Sequence, residues 1–381
     1  MRKKIPEIIV VGAGFFGAVL AERIAGQAGL PVRLFERRSH IGGNSWSEPD
    51  PETGIEFHKY GSHIFHTSDQ KVWDYIRRFT DFNEYRHTVW TTSRGRVFPL
   101  PINLAAINGF YGQNFSPSAA REFIMKEAGG EKITHPANLE EKAVSLIGRP
   151  LYEAFIRGYT IKQWEKDPRE LSADIITRLP VRYNYNIRYF SDKYEGVPLD
   201  GYGALFKRLL KNELITLSLG LDFLKQSIPT ETLVIYSGAI DEFFDYRLGR
   251  LDWRTLHFEA ERHDLPDYQG TSVMNYADPE TPFTRIHEFK HYHPERPPTG
   301  KTLIFREFSR SAKPGEEPYY PVPAADNPRR YQNYLELAKE KAPNVIFGGR
   351  LGAYKYLDMD DSIAEALKCY EERVLPRLKA G

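Results

Sequence analysis

Residues 7–17 read Glu7-Ile8-Ile9-Val10-Val11-Gly12-Ala13-Gly14-Phe15-Phe16-Gly17, and the fold follows from how they are read. The β-branched run 7–11 predicts a short strand buried on both faces, as in a parallel sheet. Gly-x-Gly-x-x-Gly comes directly after it. An Ala- and Leu-bearing stretch, Ala18 to Ala28, predicts a helix that Gly29 closes, and Val32 to Phe35 reads as a second strand ending in Glu36. A glycine-rich turn between core elements would account for the glycines alone. It would not account for strand, helix and terminal acid in register, which is the context of a dinucleotide-binding βαβ unit. In that reading Gly12 permits the tight turn, Gly14 lets backbone approach a pyrophosphate, and Gly17 lets helix and strand pack closely. The helix N-terminus presents N–H groups to the anion. Glu36, 22 positions after Gly14, stands where an acid takes the adenosine ribose hydroxyls.

The rest of the chain narrows the class. At about 150 residues per domain, 381 residues suggest two or three domains. Hydrophobic residues make up 41%, enough apolar surface to exclude disorder as the dominant state. Lys plus Arg number 52 and Asp plus Glu 51, so bulk charge offers no phosphate-backbone binder. The stretch Arg182 to Phe190 interleaves basic and aromatic residues, but one such stretch in a near-neutral chain is better explained by a nucleotide pocket than by nucleic acid. Cys369 is the single cysteine, which excludes an intrachain disulfide. No charge-free apolar run of about 18 residues supports a membrane span. The basic start Arg2-Lys3-Lys4 before an apolar stretch imitates a secretory signal. The glycine spacing explains the same residues better, and a cytoplasmic location is the expectation. His287, His291 and His293 with Glu288 invite a metal reading, His-x-His placing two rings on one strand face. No further ligand falls at a suitable spacing, and no metal is expected.

After Glu36 the chain reads Arg37-Arg38-Ser39-His40-Ile41-Gly42-Gly43-Asn44. A second glycine pair behind the acidic strand end gives backbone a close approach to another part of the ligand. This arrangement resembles the FAD-binding start of the amine-oxidase-like flavoproteins. Seven further segments sharpen the resemblance. They are His58 to Thr67, Gly158-Tyr159-Thr160-Ile161-Lys162-Gln163-Trp164, Arg178-Leu179-Pro180-Val181-Arg182, Tyr189-Phe190-Ser191-Asp192, Thr284-Arg285-Ile286-His287-Glu288, Glu317-Pro318-Tyr319-Tyr320-Pro321-Val322, and Gly348-Gly349-Arg350-Leu351 leading to Tyr354 through Met359. Together, and in this order, they resemble the bacterial UDP-galactopyranose mutases over essentially the whole chain. One departure is Arg306-Glu307-Phe308, where the bacterial pattern is Lys-Glu-Tyr; the acid is kept.

The resemblance implies reversible conversion of UDP-galactopyranose to UDP-galactofuranose, supplying galactofuranose for cell-surface glycans. It implies FAD that must be reduced, for example by NAD(P)H, although no net redox change occurs. N5 of the reduced flavin would attack the anomeric carbon and displace UDP, and the ring would reclose through a different hydroxyl. His63, Arg178, Arg285 and Arg350 match the family's catalytic positions. Tyr159, Thr160, Trp164, Tyr189, Phe190, Asn275, Tyr320, Tyr356 and Asp358, with Arg178 and Arg285, match its substrate contacts. Gly12, Gly14, Phe15, Phe16, Gly17, Glu36, Arg37, Gly43, Asn44, His63, Ile64, Gly349, Arg350, Tyr356, Asp358 and Met359 match its cofactor contacts. The chemistry agrees. A diphosphate calls for arginine forks, and as a leaving group it gains from nearby cations. Aromatic faces such as Tyr159 and Trp164 stack on a planar base. The family resemblance also suggests a homodimer. The alternative from another class is an FAD-dependent oxidoreductase of the amine-oxidase-like group, which shares the fingerprint without needing the arginine and tyrosine motifs.

The expected architecture is α/β: a Rossmann-like FAD-binding domain from 1–75, 190–245 and 335–381, a helical insertion over 100–190 with a mobile substrate loop near 171–182, and an antiparallel sheet from 76–99 and 246–334 over the substrate. Ser116-Pro117 and Asn138-Leu139-Glu140-Glu141 predict helix starts in the insertion. Asp360-Asp361-Ser362 predicts the start of a C-terminal helix, and the resemblance to related flavoproteins implies that its N-terminal dipole faces the flavin.

Overall fold

The computed structural model describes residues 7–176, 181–227, 229, 231–322 and 326–380. Ile8–Val11 is the middle strand of a five-stranded sheet ordered Val345–Phe347, Leu233–Tyr236, Ile8–Val11, Val32–Glu36, Ile215–Leu219, with every pair parallel. Its residues are apolar on both faces because both faces are covered. On one side Ile8 and Val10 pack with Val19, Leu20 and Ile24 of the helix Phe15–Gln27 and with Ile363 and Ala366 of the helix Met359–Cys369. On the other side Ile9 packs with Tyr334 and Ala338 of the helix Asn327–Lys341.

The first helix starts at Phe15, earlier than the expected Ala18, with Gly14 in extended conformation as its N-cap. Phe15 and Phe16 are therefore helical and buried. The helix Asn327–Lys341 runs through residue 335, so the expected domain boundary there falls inside a continuous element.

A second sheet has seven strands, ordered Tyr320–Pro321, Trp253–His263, Thr302–Ser311, Arg285–Glu288, Val273–Tyr276, Val89–Ser93, Arg96–Leu100. Its pairs are antiparallel except Val273–Tyr276 with Val89–Ser93. Between residues 104 and 176 the chain is helical with its own core, including Ile107, Ile124, Val144, Leu151 and Phe155. Ser116 caps the helix Pro117–Gly129 by accepting from the Ala119 N–H, with Pro117 in the first turn. Asn138 caps Leu139–Ile147 by accepting from the Glu141 N–H at 2.9 Å. Each cap satisfies a donor the helix itself cannot. Among the described residues no helix is long and apolar enough to cross a membrane.

Candidate active site

The three fingerprint glycines do different work. Gly12 has φ of +94° and gives its N–H to the Phe35 carbonyl at 2.7 Å, tying the turn to the second strand. A Cβ on Gly17 would lie 1.9 Å from the Gly12 oxygen, so only glycine lets the helix seat on the strand. A Cβ on Gly14 would meet nothing nearer than the Gly43 Cα at 3.8 Å, because Gly14 faces an open cleft. Gly43 (φ +56°) approaches Gly14 so closely that a Cβ there would lie 3.1 Å from the Gly14 Cα. The two glycine loops thus make a floor of bare backbone. The uncapped N-terminus of Phe15–Gln27 points onto it. Glu36 accepts from the Ala13 N–H at 2.8 Å and the Arg38 N–H at 2.9 Å, which fixes the acid at one end of the cleft.

Gly12, Gly14, Phe15, Phe16, Gly17, Glu36, Arg37, Gly43, Asn44, His63, Gly349, Arg350 and Met359 all line this cleft. Ile64 does not; it is buried in the core. Tyr356 and Asp358 stand beside the cleft rather than in its wall. Sequence reasoning gave no role to Arg38, Ser237, Glu242, Glu317 or Ser362, which also line it. Arg38 donates to Asn44 at 2.8 Å and to Glu317 at 2.7 Å, and Arg37 donates to Glu317 at 3.1 Å. The Met359 end of Met359–Cys369 opens on the same space. Two helix N-termini, a glycine floor and an acid therefore converge along one groove, a donor set that fits a dinucleotide such as FAD.

His63 belongs to the same lining. Its Nδ1 lies 2.7 Å from the Gly61 carbonyl and so carries the proton, while its backbone N–H donates to His58 Nδ1 at 3.0 Å. Burial, and secondarily the Arg350 charge, brings the His63 pKa down to about 4. The ring is neutral at physiological pH. Gly61 has φ of +89°, and a Cβ there would press on the Phe258 ring at 3.0 Å.

A polar relay leads from this loop to the second sheet. Ser62 Oγ bonds both His287 Nδ1 and the Tyr292 hydroxyl. His287 Nε2 lies 2.9 Å from Glu307 Oε2, and Arg285 Nε lies 3.3 Å from Glu307 Oε1. Arg285 also donates to the Tyr159 hydroxyl. Burial would raise the Glu307 pKa, but Arg285 and His287 bring it down to about 2, so it stays ionised. Asn275 pairs directly opposite Arg285 and, among the described residues, keeps a buried side-chain oxygen without a partner. Arg350 donates to the Leu357 carbonyl and lies over the rings of Tyr320 and Tyr356, 5.8 and 5.3 Å from their centroids. Burial and the nearby Asp358 carboxylate push the Tyr356 phenol well up. Tyr189 meets Phe190 edge-on at 5.1 Å, and Phe190 stacks on His66 at 3.7 Å.

The structure brings Tyr159, Asn275 and Arg285 together, and Arg350 with Tyr320 and Tyr356. Thr160 is buried, and Trp164 packs against the helical core. Arg178 lies outside the described residues. His291 and His293 do not share a strand face as expected, because the strand ends at Glu288 and the turn Phe289–Tyr292 follows. His287 goes to Glu307, His293 to Glu295 at 2.8 Å, and His291 to Asp267 and Glu288 at 3.4 Å each.

Comparison with known proteins agrees with this geometry. Residues 154–356 match the family model described as UDP-galactopyranose mutase, and residues 10–79 match that of an NAD(P)-binding Rossmann-like domain. The chain is 44% identical over 365 residues to a probable UDP-galactopyranose mutase of Klebsiella pneumoniae, covering 96% of this chain and 94% of the relative. It is 40% identical over 369 residues to a dTDP-fucopyranose mutase of Escherichia coli, covering 95% and 97%. A crystal structure of reduced UDP-galactopyranose mutase shares the fold at a TM-score of 0.73 and 19% identity, over 98% of this chain and 96% of that one. The chain belongs to the UDP-galactopyranose mutase family.

Proposed function

We propose that this protein interconverts UDP-galactopyranose and UDP-galactofuranose, with FAD held in the glycine-floored cleft. The observation that carries the reading is Arg350. It lines the cofactor cleft and also sits over Tyr320 and Tyr356, so the two binding regions share one cation. Reduced FAD supplies the nucleophilic nitrogen that the anomeric carbon requires. Everything else falls to the chain.

Arg285 and Arg350, with Arg178 of the substrate loop, neutralise the diphosphate and stabilise the charge that builds as UDP leaves. The hydroxyls of Tyr189, Tyr320 and Tyr356 donate to phosphate oxygens. Tyr159 offers a face to the base, and Trp164, which is only partly buried against the helical core, offers a second. Thr160, Phe190, Asn275 and Asp358 line the remaining contacts. His63 stays neutral beside the reacting centre, where it accepts a hydrogen bond through Nε2 without adding a charge. In this reading residues 1–75, 190–245 and the C-terminal part carry the cofactor, and the two remaining parts enclose the sugar nucleotide. An external donor such as NAD(P)H keeps the cofactor reduced, and the protein works as a cytoplasmic homodimer that feeds surface glycan assembly.

The test is incubation of the purified, flavin-loaded protein with UDP-galactofuranose, with and without dithionite, followed by chromatography. Conversion to the pyranose under reduction alone is expected. Reductant consumed in proportion to product would instead mark an oxidoreductase. The 40% identity to a dTDP-fucopyranose mutase makes dTDP-fucopyranose the second substrate to assay, since it differs in both base and sugar.

A further inference from the structure

The helix Gly158–Trp164 carries Tyr159, and the strands Val273–Tyr276 and Arg285–Glu288 carry Asn275 and Arg285. Something must hold the helix at the right distance from the hairpin that joins those strands. Lys162 Nζ enters the hairpin and donates to the carbonyls of Tyr276 at 2.6 Å, Asp278 at 2.9 Å, Thr281 at 3.0 Å and Phe283 at 3.2 Å. An ammonium has three N–H groups, so four acceptors saturate it. One turn earlier, a Cβ on Gly158 would lie 2.2 Å from the Ala277 carbonyl oxygen and 3.3 Å from the Pro279 nitrogen. Gly158 and Lys162 therefore form one seam along which the helix presses on the hairpin backbone. Tyr159 lies between them in sequence and accepts from Arg285, just beyond the hairpin. The helix end is fastened elsewhere: Ser309 donates to the Gln163 carbonyl at 2.8 Å and Arg254 to the Trp164 carbonyl at 3.2 Å.

We propose that Lys162 is a positioning residue for nucleotide binding: its ammonium, gripped by four carbonyls of the hairpin and its strand end, sets the spacing between Tyr159 on the helix and Asn275 and Arg285 on the strands the hairpin joins. This rests on the sugar-nucleotide reading above. Lys162 would touch no substrate. Its effect passes through the two elements it joins.

The seam has a protonation state. A neutral amine keeps two N–H groups and turns a lone pair towards carbonyl oxygens, so it cannot hold the same cage. Burial lowers the Lys162 pKa to about 8, against the opposing charges of Asp278 and Glu280 on the hairpin. The Asp278 carboxylate is itself engaged by the Arg94 N–H at 2.9 and 3.0 Å.

The test uses flavin-loaded protein and UDP, titrated at pH 7 and pH 9. Lys162→Met should bind UDP at least about tenfold more weakly at pH 7, roughly the loss of one charged hydrogen bond. Its flavin content and absorbance spectrum should match the wild type. Between pH 7 and 9 the wild type should lose more affinity than the variant, whose comparison cancels ionisation of the ligand itself. Amide hydrogen exchange over residues 277–283 should quicken in the variant. A flavin-loaded Lys162→Met that binds UDP within twofold of wild type overturns the proposal, as does a wild-type pH dependence no steeper than the variant's. Lys162→Gln, which retains two donors, replaces the methionine variant if that one does not fold. Wild-type protein that binds no UDP at either pH would bring down the sugar-nucleotide reading and this proposal together, whereas equal binding in the variant removes only the role of Lys162.

Discussion

Replacing Gly14 or Gly17 by alanine separates the cofactor site from the fold, although the two glycines are three residues apart. At Gly17 the new Cβ would lie 1.9 Å from the Gly12 oxygen, and ordinary contact begins near 3.4 Å. The helix must then retreat from the central strand by about 1.5 Å, and overpacking on this scale costs about 1–3 kcal/mol or more. At Gly14 the nearest protein atom is 3.8 Å from the added carbon and the backbone sits at φ −76°, which alanine adopts freely. Gly14→Ala should leave the apo-protein as stable as wild type, or firmer by about 0.4–1 kcal/mol through the unfolded chain. The methyl group does project into the cleft. Holding a phosphate away from the helix N–H groups forfeits a charge-assisted hydrogen bond, about 1.5–3 kcal/mol, or roughly 10- to 150-fold in FAD affinity. Thermal midpoints of the apo-proteins and FAD titration by flavin fluorescence measure the two effects separately. A Gly14→Ala protein that binds FAD like wild type would show that no ligand approaches this backbone, and the reasoning about the cleft would fail.

Other expectations follow from the buried charges. The Glu307 pKa of about 2 lies below its ordinary 4.5, so the carboxylate stabilises the fold by about 3 kcal/mol above pH 4.5, lost as pH falls towards 2. Arg285→Ala should raise that pKa and so shrink the stability lost as pH falls from 4.5 towards 2, with the onset unmoved because the unfolded chain sets it; thermal scans between pH 2 and 7 check this, and superimposable profiles would refute it. His63, with its pKa lowered to about 4, should show no imidazole titration by NMR between pH 5.5 and 8, and a midpoint near 6.5 would contradict its burial. Glu36→Ala strands the Ala13 and Arg38 N–H groups and should cost about 1–3 kcal/mol, read as a lower thermal midpoint and lower flavin content.

What could be read from the chain, and what could not, divides by distance along it. The strand, the glycine turn and the second strand are local, and their residue types state their environment directly. The helix starts three residues before the sequence signals it because Phe15 and Phe16 carry no capping signal; the cap is Gly14 itself, with no side chain to announce it. The relay from Ser62 through His287 to Glu307 joins residues 225 and 20 positions apart, and no spacing rule reports pairing across a sheet. The His-x-His spacing suggested a shared face, but the backbone leaves the strand before His291. Lys162 stood inside a motif without a role because its partners are backbone carbonyls, which have no sequence signature. Nothing local separates Arg38 from its neighbour Arg37, since both meet Glu317, in a segment that no local pattern links to them.

The strand order of the parallel sheet has a consequence for how the protein is made. Ile8–Val11 waits for Leu233–Tyr236 on one side, and that strand waits for Val345–Phe347. At about 5–20 residues per second, synthesis leaves roughly 20–70 s between the emergence of the first strand and the last. During that interval one of the most apolar segments of the chain has an unpaired edge, and the wall supplied by Gly349, Arg350 and Met359 does not yet exist. Flavin capture is therefore a late event that waits for residues 349–359, and a nascent chain cut short before residue 345 presents a sticky strand with no ligand available to rescue it.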